Sequence, residues 1–223
     1  MEDTLADINM EVDAGQLVAI IGPVGSGKSS VLQAVLGELA ASQGYVGVSG
    51  QLSYAPQEAW VFGGSVRSNI LFGEEYDAKW YAKVIEACAL KHDFSAWGHG
   101  DLTLVGERGV ALSGGQKARV SLARACYRKA ATYLLDDPLS AVDAHVGKHL
   151  FDHCIQGLLK NKVLERLLLA LTTLQAVVLV THQLQYLREA DQIIVLAGGR
   201  CTPSLVLMKL LPEYKSEAAL IIF

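Results

Sequence analysis

The chain has 223 residues, a formal net charge of −4 and 19% charged residues. That length suits one sizeable domain with room for an inserted lobe, and the mildly acidic balance excludes the basic face that a nucleic-acid partner requires. A mean hydropathy of +0.29 is high for a freely soluble domain and points to apolar surface reserved for a partner.

Met1-Glu2-Asp3-Thr4 carries acid where a secretory signal carries base. Leu17-Val18-Ala19-Ile20-Ile21 is a continuous apolar run, the pattern of a strand buried on both faces. The glycine-rich stretch Gly22-Pro23-Val24-Gly25-Ser26-Gly27-Lys28-Ser29 follows, and then Val31, Leu32, Val35, Leu36 and Leu39 recur at helical spacing. Short strands are expected near Tyr45–Val48 and Leu52–Tyr54. From about 65 to 127 the composition turns helical, with helices expected over Ser65–Phe72, Asp77–Ala89 and Gly114–Tyr127. We read this as a helical lobe inserted into an α/β core made of residues 1–64 and 128–200. The core resumes with a strand at Thr132–Leu135, a helix over 143–159, and strands at Val177–Val180 and Gln192–Leu196 before the turn Ala197-Gly198-Gly199-Arg200. Strands alternating with helices predict a mostly parallel sheet with a small antiparallel portion.

Two features carry less. Cys88, Cys126, Cys154 and Cys201 show no CxxC or Cys/His spacing, so they read as buried free thiols in a reducing compartment, against a metal site or a disulfide framework. The apolar stretch Leu167–Val180 is shorter than the ~20 residues a membrane-spanning helix needs, and it contains Thr172, Thr173 and Gln175. A buried strand with an apolar lead-in fits it better.

The chemistry concentrates in a few places. Gly22 to Ser29 fits the phosphate-loop pattern GxxxxGK[ST], and a strand before it and a helix after it are the context that pattern needs. Gly22, Gly25 and Gly27 let the backbone curl so that its N–H groups, with the positive end of the helix, cradle a phosphate. Lys28 adds charge for the β- and γ-phosphates, and the Ser29 hydroxyl suits Mg²⁺. A glycine-rich turn that matches by accident is the bland alternative. Asp136 ends an apolar strand, where it can hold Mg²⁺ directly or through water. Asp137 can orient or deprotonate an attacking water, unless one of the pair only caps the turn before Pro138. Ser113-Gly114-Gly115-Gln116 opens a helix and offers a second anion site or, alternatively, a plain helix cap. Gln57, after Pro56, can reach the metal or the attacking water. His182 ends a core strand and can donate to a γ-phosphate. A surface glutamine and a structural histidine are the ordinary alternatives.

Taken in order, these stretches resemble the ATP-binding cassette domains of membrane transporters over roughly Leu5 to Leu196. The correspondence runs through the phosphate loop, Gln57, the Leu112-Ser113-Gly114-Gly115-Gln116 signature, Asp136, the Ser140–Asp143 loop and His182. Tyr54-Ala55-Pro56-Gln57, Asn69-Ile70-Leu71-Phe72-Gly73 and Asp136 through Ala144 are similar to the first cassette of the multidrug resistance-associated (C) subfamily. The resemblance implies a P-loop NTPase core with ATP and Mg²⁺ as ligands. It extends the nucleotide loop through Pro23, Val24, Ser26 and Ser30, and assigns the metal to Ser29, Gln57 and Asp136. Asp137, Gln57 and His182 become the catalytic set. It further implies head-to-tail pairing with a second cassette, with Ser113, Gly115 and Gln116 reaching the partner's γ-phosphate and Asp143 at the dimer interface. The Gln57 loop and helical lobe would couple to transmembrane domains, on the cytoplasmic face of a membrane. Export of organic anions or conjugates is the implied task.

The chain departs from that pattern in four places. Asp137 stands where active members carry Glu, so the alternative is a regulatory ATP-binding module with little turnover of its own. No Phe, Tyr or Trp precedes Gly22, which places the adenine-stacking aromatic upstream of Met1. Leu164–Ala176 reads as an extra segment. Residues 201–223 form an atypical tail, and the whole reads as a fragment or altered product of a larger transporter.

Overall fold

The computed structural model describes residues 4–106, 109–160 and 175–202. Most of segment 164–176 and of tail 201–223 therefore lies outside the described residues. The core is a six-stranded sheet in the order β2-β5-β6-β1-β7-β8, formed by β1 (Leu17–Ile21), β2 (Leu52–Ala55), β5 (Thr132–Asp136), β6 (Ala176–Val180), β7 (Gln192–Ala197) and β8 (Arg200–Thr202). Every neighbouring pair is parallel except β7 and β8, which form a hairpin across Gly198-Gly199. This is the mostly parallel α/β sheet expected.

Alternation along the strands builds two cores. Leu17, Tyr133, Leu135, Val177 and Leu179 join the larger cluster on one face. Val18, Ile20, Leu134, Val178 and Val180 meet Val31 and Leu32 of α1 (Lys28–Leu36) on the other. With no solvent face left to them, β1 and β6 are apolar at every position. Each large side chain buried in this way contributes roughly 1.5–3 kcal/mol.

Between β2 and β5 the chain forms α2 (Val66–Leu71), α3 (Ala78–Ala87), α4 (Lys91–Ala96) and α5 (Gly114–Tyr127), with a two-stranded antiparallel ladder of β3 (Gly64–Ser65) and β4 (Leu104–Val105). After β5 come α6 (Ala144–His149) and a π-helical run, Leu150–Lys160.

Three expectations need correction. No strand forms at Tyr45–Val48: Tyr45 is 93% exposed, and Gly44 and Gly50 both adopt positive φ, which breaks an extended run. The predicted 143–159 helix is in place, but its second half winds with the wider π repeat. The extra segment expected over Leu164–Ala176 runs too far at its end, because Ala176 already belongs to β6 and pairs with Thr132, and the Gly15 N–H donates to the Gln175 carbonyl at 2.8 Å. Helix α4 and strand β8 are too short to show a period and went unassigned.

One buried polar knot ties α2 to α5. Asn69, fully buried, accepts from the Phe62 N–H at 2.9 Å and donates to the carbonyls of Phe62 and Ser65. Arg124 on α5 donates to the Asn69 carbonyl and side chain, and its guanidinium lies 3.9 Å from the Trp60 ring centre. Burial lowers the Arg124 pKa to about 10. Asn69→Ala should cost at least about 2 kcal/mol in urea unfolding, because it strands the Phe62 N–H and part of the guanidinium without partners.

Candidate nucleotide site

The loop after β1 is shaped by close approach. A Cβ on Gly22 would lie 2.2 Å from the Leu196 carbonyl oxygen, so only glycine fits. Gly27 caps α1 at φ 96°, a left-handed conformation that glycine adopts without strain. Lys28 is 6% exposed and donates to the carbonyls of Gly22 and Pro23 at 3.0 and 2.8 Å. Its ammonium folds back over the loop instead of reaching into solvent. Burial lowers its pKa, against the opposing pull of Asp136 and Asp137. The Gly199 N–H, in the β7–β8 turn, braces the loop through the Ser26 carbonyl at 3.1 Å, while the Ser26 hydroxyl is buried with no partner.

Asp136 and Asp137 arrive from the carboxyl end of β5, at 3% and 5% exposure. Asp136 is hydrogen-bonded to Ser29 and takes a long bond, 3.5 Å, from the Tyr54 hydroxyl. Burial raises its pKa, and the neighbouring charge of Asp137 adds to the rise. Burial also raises Asp137, opposed by His182 and Lys28. Asp137 holds φ 45°, and its Oδ1 is buried without a partner. Tyr54 is pushed up to about 12 by its own burial and by Asp136.

These groups meet in one open cavity of about 250 Å³. Lys28, Ser29, Gln57, Asp136, Asp137 and His182 all line it, with Val24, Gly25, Gly27 and Ser30 at the loop side. Four separate elements thus deliver the candidate residues to one place. Among the described residues no Phe, Tyr or Trp lines it. Gly22, Pro23 and Ser26 shape the loop without lining the cavity.

Leu112 through Gln116 stand apart from that cavity, at the start of α5. Ser113 and Gln116 form a reciprocal capping box: the Ser113 hydroxyl accepts from the Gln116 N–H, and the Gln116 side chain accepts from the Ser113 N–H. Gln116 also donates to Asp93 at 2.9 Å, and Arg119 forms a short ion pair with the same carboxylate. Gly115 abuts the following loop, where a Cβ would lie 3.2 Å from the Ala141 carbonyl. Asp143 caps α6 by accepting from the His145 and Val146 N–H groups, both at 3.0 Å. Sequence reasoning missed Tyr54 and Asp93 as site residues. Tyr54 was within reach, immediately before Ala55-Pro56 on the strand that leads to Gln57. Asp93 lies in the unassigned α4 and carried no signal.

Residues 5–140 match the ABC transporter family. The chain belongs to that family. It is 52% identical over 213 residues to a probable multidrug resistance-associated protein, lethal(2)03659, of Drosophila melanogaster, covering 96% of this chain and 14% of that protein. It is 54% identical over 197 residues to human ATP-binding cassette sub-family C member 4, covering 88% and 14%. ABC transporter C family member 9 of Arabidopsis thaliana is 48% identical over 197 residues, covering 88% and 12%. The chain therefore spans about one seventh of the first two relatives. It is an ATPase domain of the multidrug resistance-associated branch. Among the described residues no helix is long and apolar enough to cross a membrane.

The two carboxylates make the ligand-free fold pH-dependent. A carboxylate whose folded pKa is raised above its ordinary 3.8 disfavours the folded state once it ionises. That penalty is fully present above the raised pKa and vanishes as pH falls through it towards 3.8. Asp137→Asn should therefore raise the melting temperature of the ligand-free chain at neutral pH, and the advantage should shrink in acid. Asn also tolerates the left-handed backbone at this position. Differential scanning calorimetry of both proteins across pH checks the sign.

Proposed function

We propose that this domain binds Mg-ATP in the Lys28–Asp136 cavity and uses it to drive export of organic anions or conjugates by a larger membrane protein. The observation that supports this best is the convergence of Lys28, Ser29, Gln57, Asp136, Asp137 and His182 on a single cavity, while the signature stands outside it. A signature that does not line its own chain's cavity is suited to a second cassette's nucleotide, as head-to-tail pairing requires.

In this reading the loop amides and Lys28 hold the β- and γ-phosphates. Lys28 exchanges two loop carbonyls for phosphate oxygens and stays in an anionic surrounding. The donor set fits Mg²⁺, a hard ion that takes oxygen ligands: the Ser29 hydroxyl and the buried Asp136 carboxylate are already in contact, with Gln57 on the same cavity. The metal would offset phosphate charge there, and it would relieve the cost of burying Asp136. Asp137, which lines the cavity and has an unpartnered oxygen, orients the attacking water, and His182 donates to the γ-phosphate. Ser113, Gly115 and Gln116 complete the partner's site, and Asp143 lies at the interface between cassettes.

The transmembrane side is proposed at the loop after Gln57, within residues 65–127 and just before them. Trp60 and Phe72 are 44% and 56% exposed, with ring centres 5.5 Å apart, and Phe62 is 5.9 Å from Phe72. Such an aromatic patch suits an apolar partner helix. A second reading, a regulatory module that binds ATP with little turnover, is favoured by Asp137, whose carboxylate is one methylene shorter than the Glu of active family members.

Mg-ATP at a hundredfold over its dissociation constant should stabilise the chain by about 2.7 kcal/mol. Lys28→Ala should abolish most of the resulting thermal shift, and an equal shift in both proteins would remove the cavity assignment. Paired with a cassette that carries Glu at this position, Asp137→Glu should speed hydrolysis in this chain's own site by about tenfold or more. An unchanged single-site rate would favour the regulatory reading.

A further inference from the structure

Three cysteines that are far apart in sequence meet in the core. Cys88 caps the end of α3, Cys126 lies in the last turn of α5 and Cys154 sits within the π-helical run; all three are fully buried and unoxidised. The Cys126 and Cys154 sulfurs are 3.2 Å apart, and those of Cys88 and Cys154 are 3.8 Å apart. All three sulfurs lie within 4.8 Å of one another. Cys201, half-buried on β8, is not part of the group.

We propose that Cys88, Cys126 and Cys154 form a three-thiolate site for a soft monovalent metal ion, copper(I). Three sulfurs bonded to one central ion at about 2.3 Å stand about 4 Å apart in a trigonal plane; the Cys88–Cys154 separation of 3.8 Å is close to that spacing, and the Cys126–Cys154 pair at 3.2 Å opens by less than 1 Å to reach it. Soft thiolates select copper(I) or zinc among the common ions. Zinc in structural sites takes four ligands, and among the described residues no fourth His, Cys, Asp or Glu joins the cluster. Each cysteine is at 0% exposure, so bulk solvent does not reach the sulfurs to supply a fourth ligand. Copper(I) is satisfied by three.

Binding moves no electron: the ion remains copper(I), and each thiol that ligates it releases its proton to solvent. The negative charge that results lies near Arg119, which acts on Cys88, and His149, which acts on Cys154. A π-helical winding at Cys154 is a further mark, since such windings recur at functional sites. The ion would knit α3, α5 and the π-helical run together behind the sheet. Since the sulfurs are sealed in the folded chain, loading takes place as these three elements close over the ion.

The test refolds the fully reduced 223-residue chain without oxygen, with copper(I) supplied from a bicinchoninate complex. Copper per folded chain is counted after gel filtration, and the thiolate-to-copper charge-transfer absorption and its emission are recorded. One copper(I) per chain, with emission of the kind seen from water-shielded copper thiolates, is expected. Cys126→Val and Cys154→Val should weaken retention by about tenfold or more, while Cys201→Ser should leave it unchanged. Equal retention by the Cys126→Val protein would overturn the site, as would a folded wild-type chain that leaves all copper with the competitor. If the valine variants do not fold, X-ray absorption of the wild-type complex decides alone. Three sulfur neighbours support the proposal; two sulfurs, or any oxygen or nitrogen in the shell, refute it. Tighter retention of zinc(II) under the same competition would refute the choice of copper(I).

Discussion

Strands β1, β5 and β6 have no solvent-facing side, and the chemistry of the domain follows from that constraint. Polar groups cannot sit along such strands without partners, so they gather where the strands end. Asp136 ends β5 and Asp137 follows it, Thr181 and His182 follow β6, and the phosphate loop follows β1. Because the sheet is parallel, all three ends lie on one edge, and the carboxylates are left in a half-desolvated cleft that raises their pKa values. The site is thus an energetic cost of the core, concentrated at one place and relieved by bringing in cationic charge.

Helix α5 ties the remaining features together. With 14 residues it is about 21 Å long. Its first turn carries the signature, its third carries Arg124 beneath the exposed Trp60 and Phe72, and its last carries Cys126. The amides at its start form an anion-binding end. The Gln116 side chain, however, is already committed to the Ser113 N–H and to Asp93. In the proposed pairing, the groups ready to meet a second nucleotide are therefore the Ser113 hydroxyl and the free amides, and Gln116 has to exchange partners. Arg124 joins α5 to Asn69 of α2 and packs under Trp60, so the signature end and the aromatic patch belong to one connected group of contacts.

Residue-level motifs named most of the residues that the fold gathers around the candidate cavity. The phosphate loop, Asp136, Asp137 and the signature each sit beside a strong local pattern: an apolar strand, a glycine that permits a tight curl, a helix-capping serine. Local physics acts over a few residues, so sequence alone carries it. The sheet's parallel character was legible for the same reason, as β1 and β6 are apolar at every position.

Everything that depends on distant neighbours came from the tertiary structure. Only folding shows that Lys28 is turned back onto loop carbonyls, that Asp137 has an unpartnered oxygen, and that Gln116 is held by Asp93 of a six-residue helix with no visible period. Tyr45–Val48 has strand composition yet no strand, since propensity cannot supply a partner. The cysteines make the same point most sharply. Their sequence spacing of 38 and 28 residues excluded the usual metal motifs, yet α3, α5 and the π-helical run bring three sulfurs together. Spacing rules describe ligands on one turn or hairpin, whereas a site built from three packed helices is decided by how the core closes.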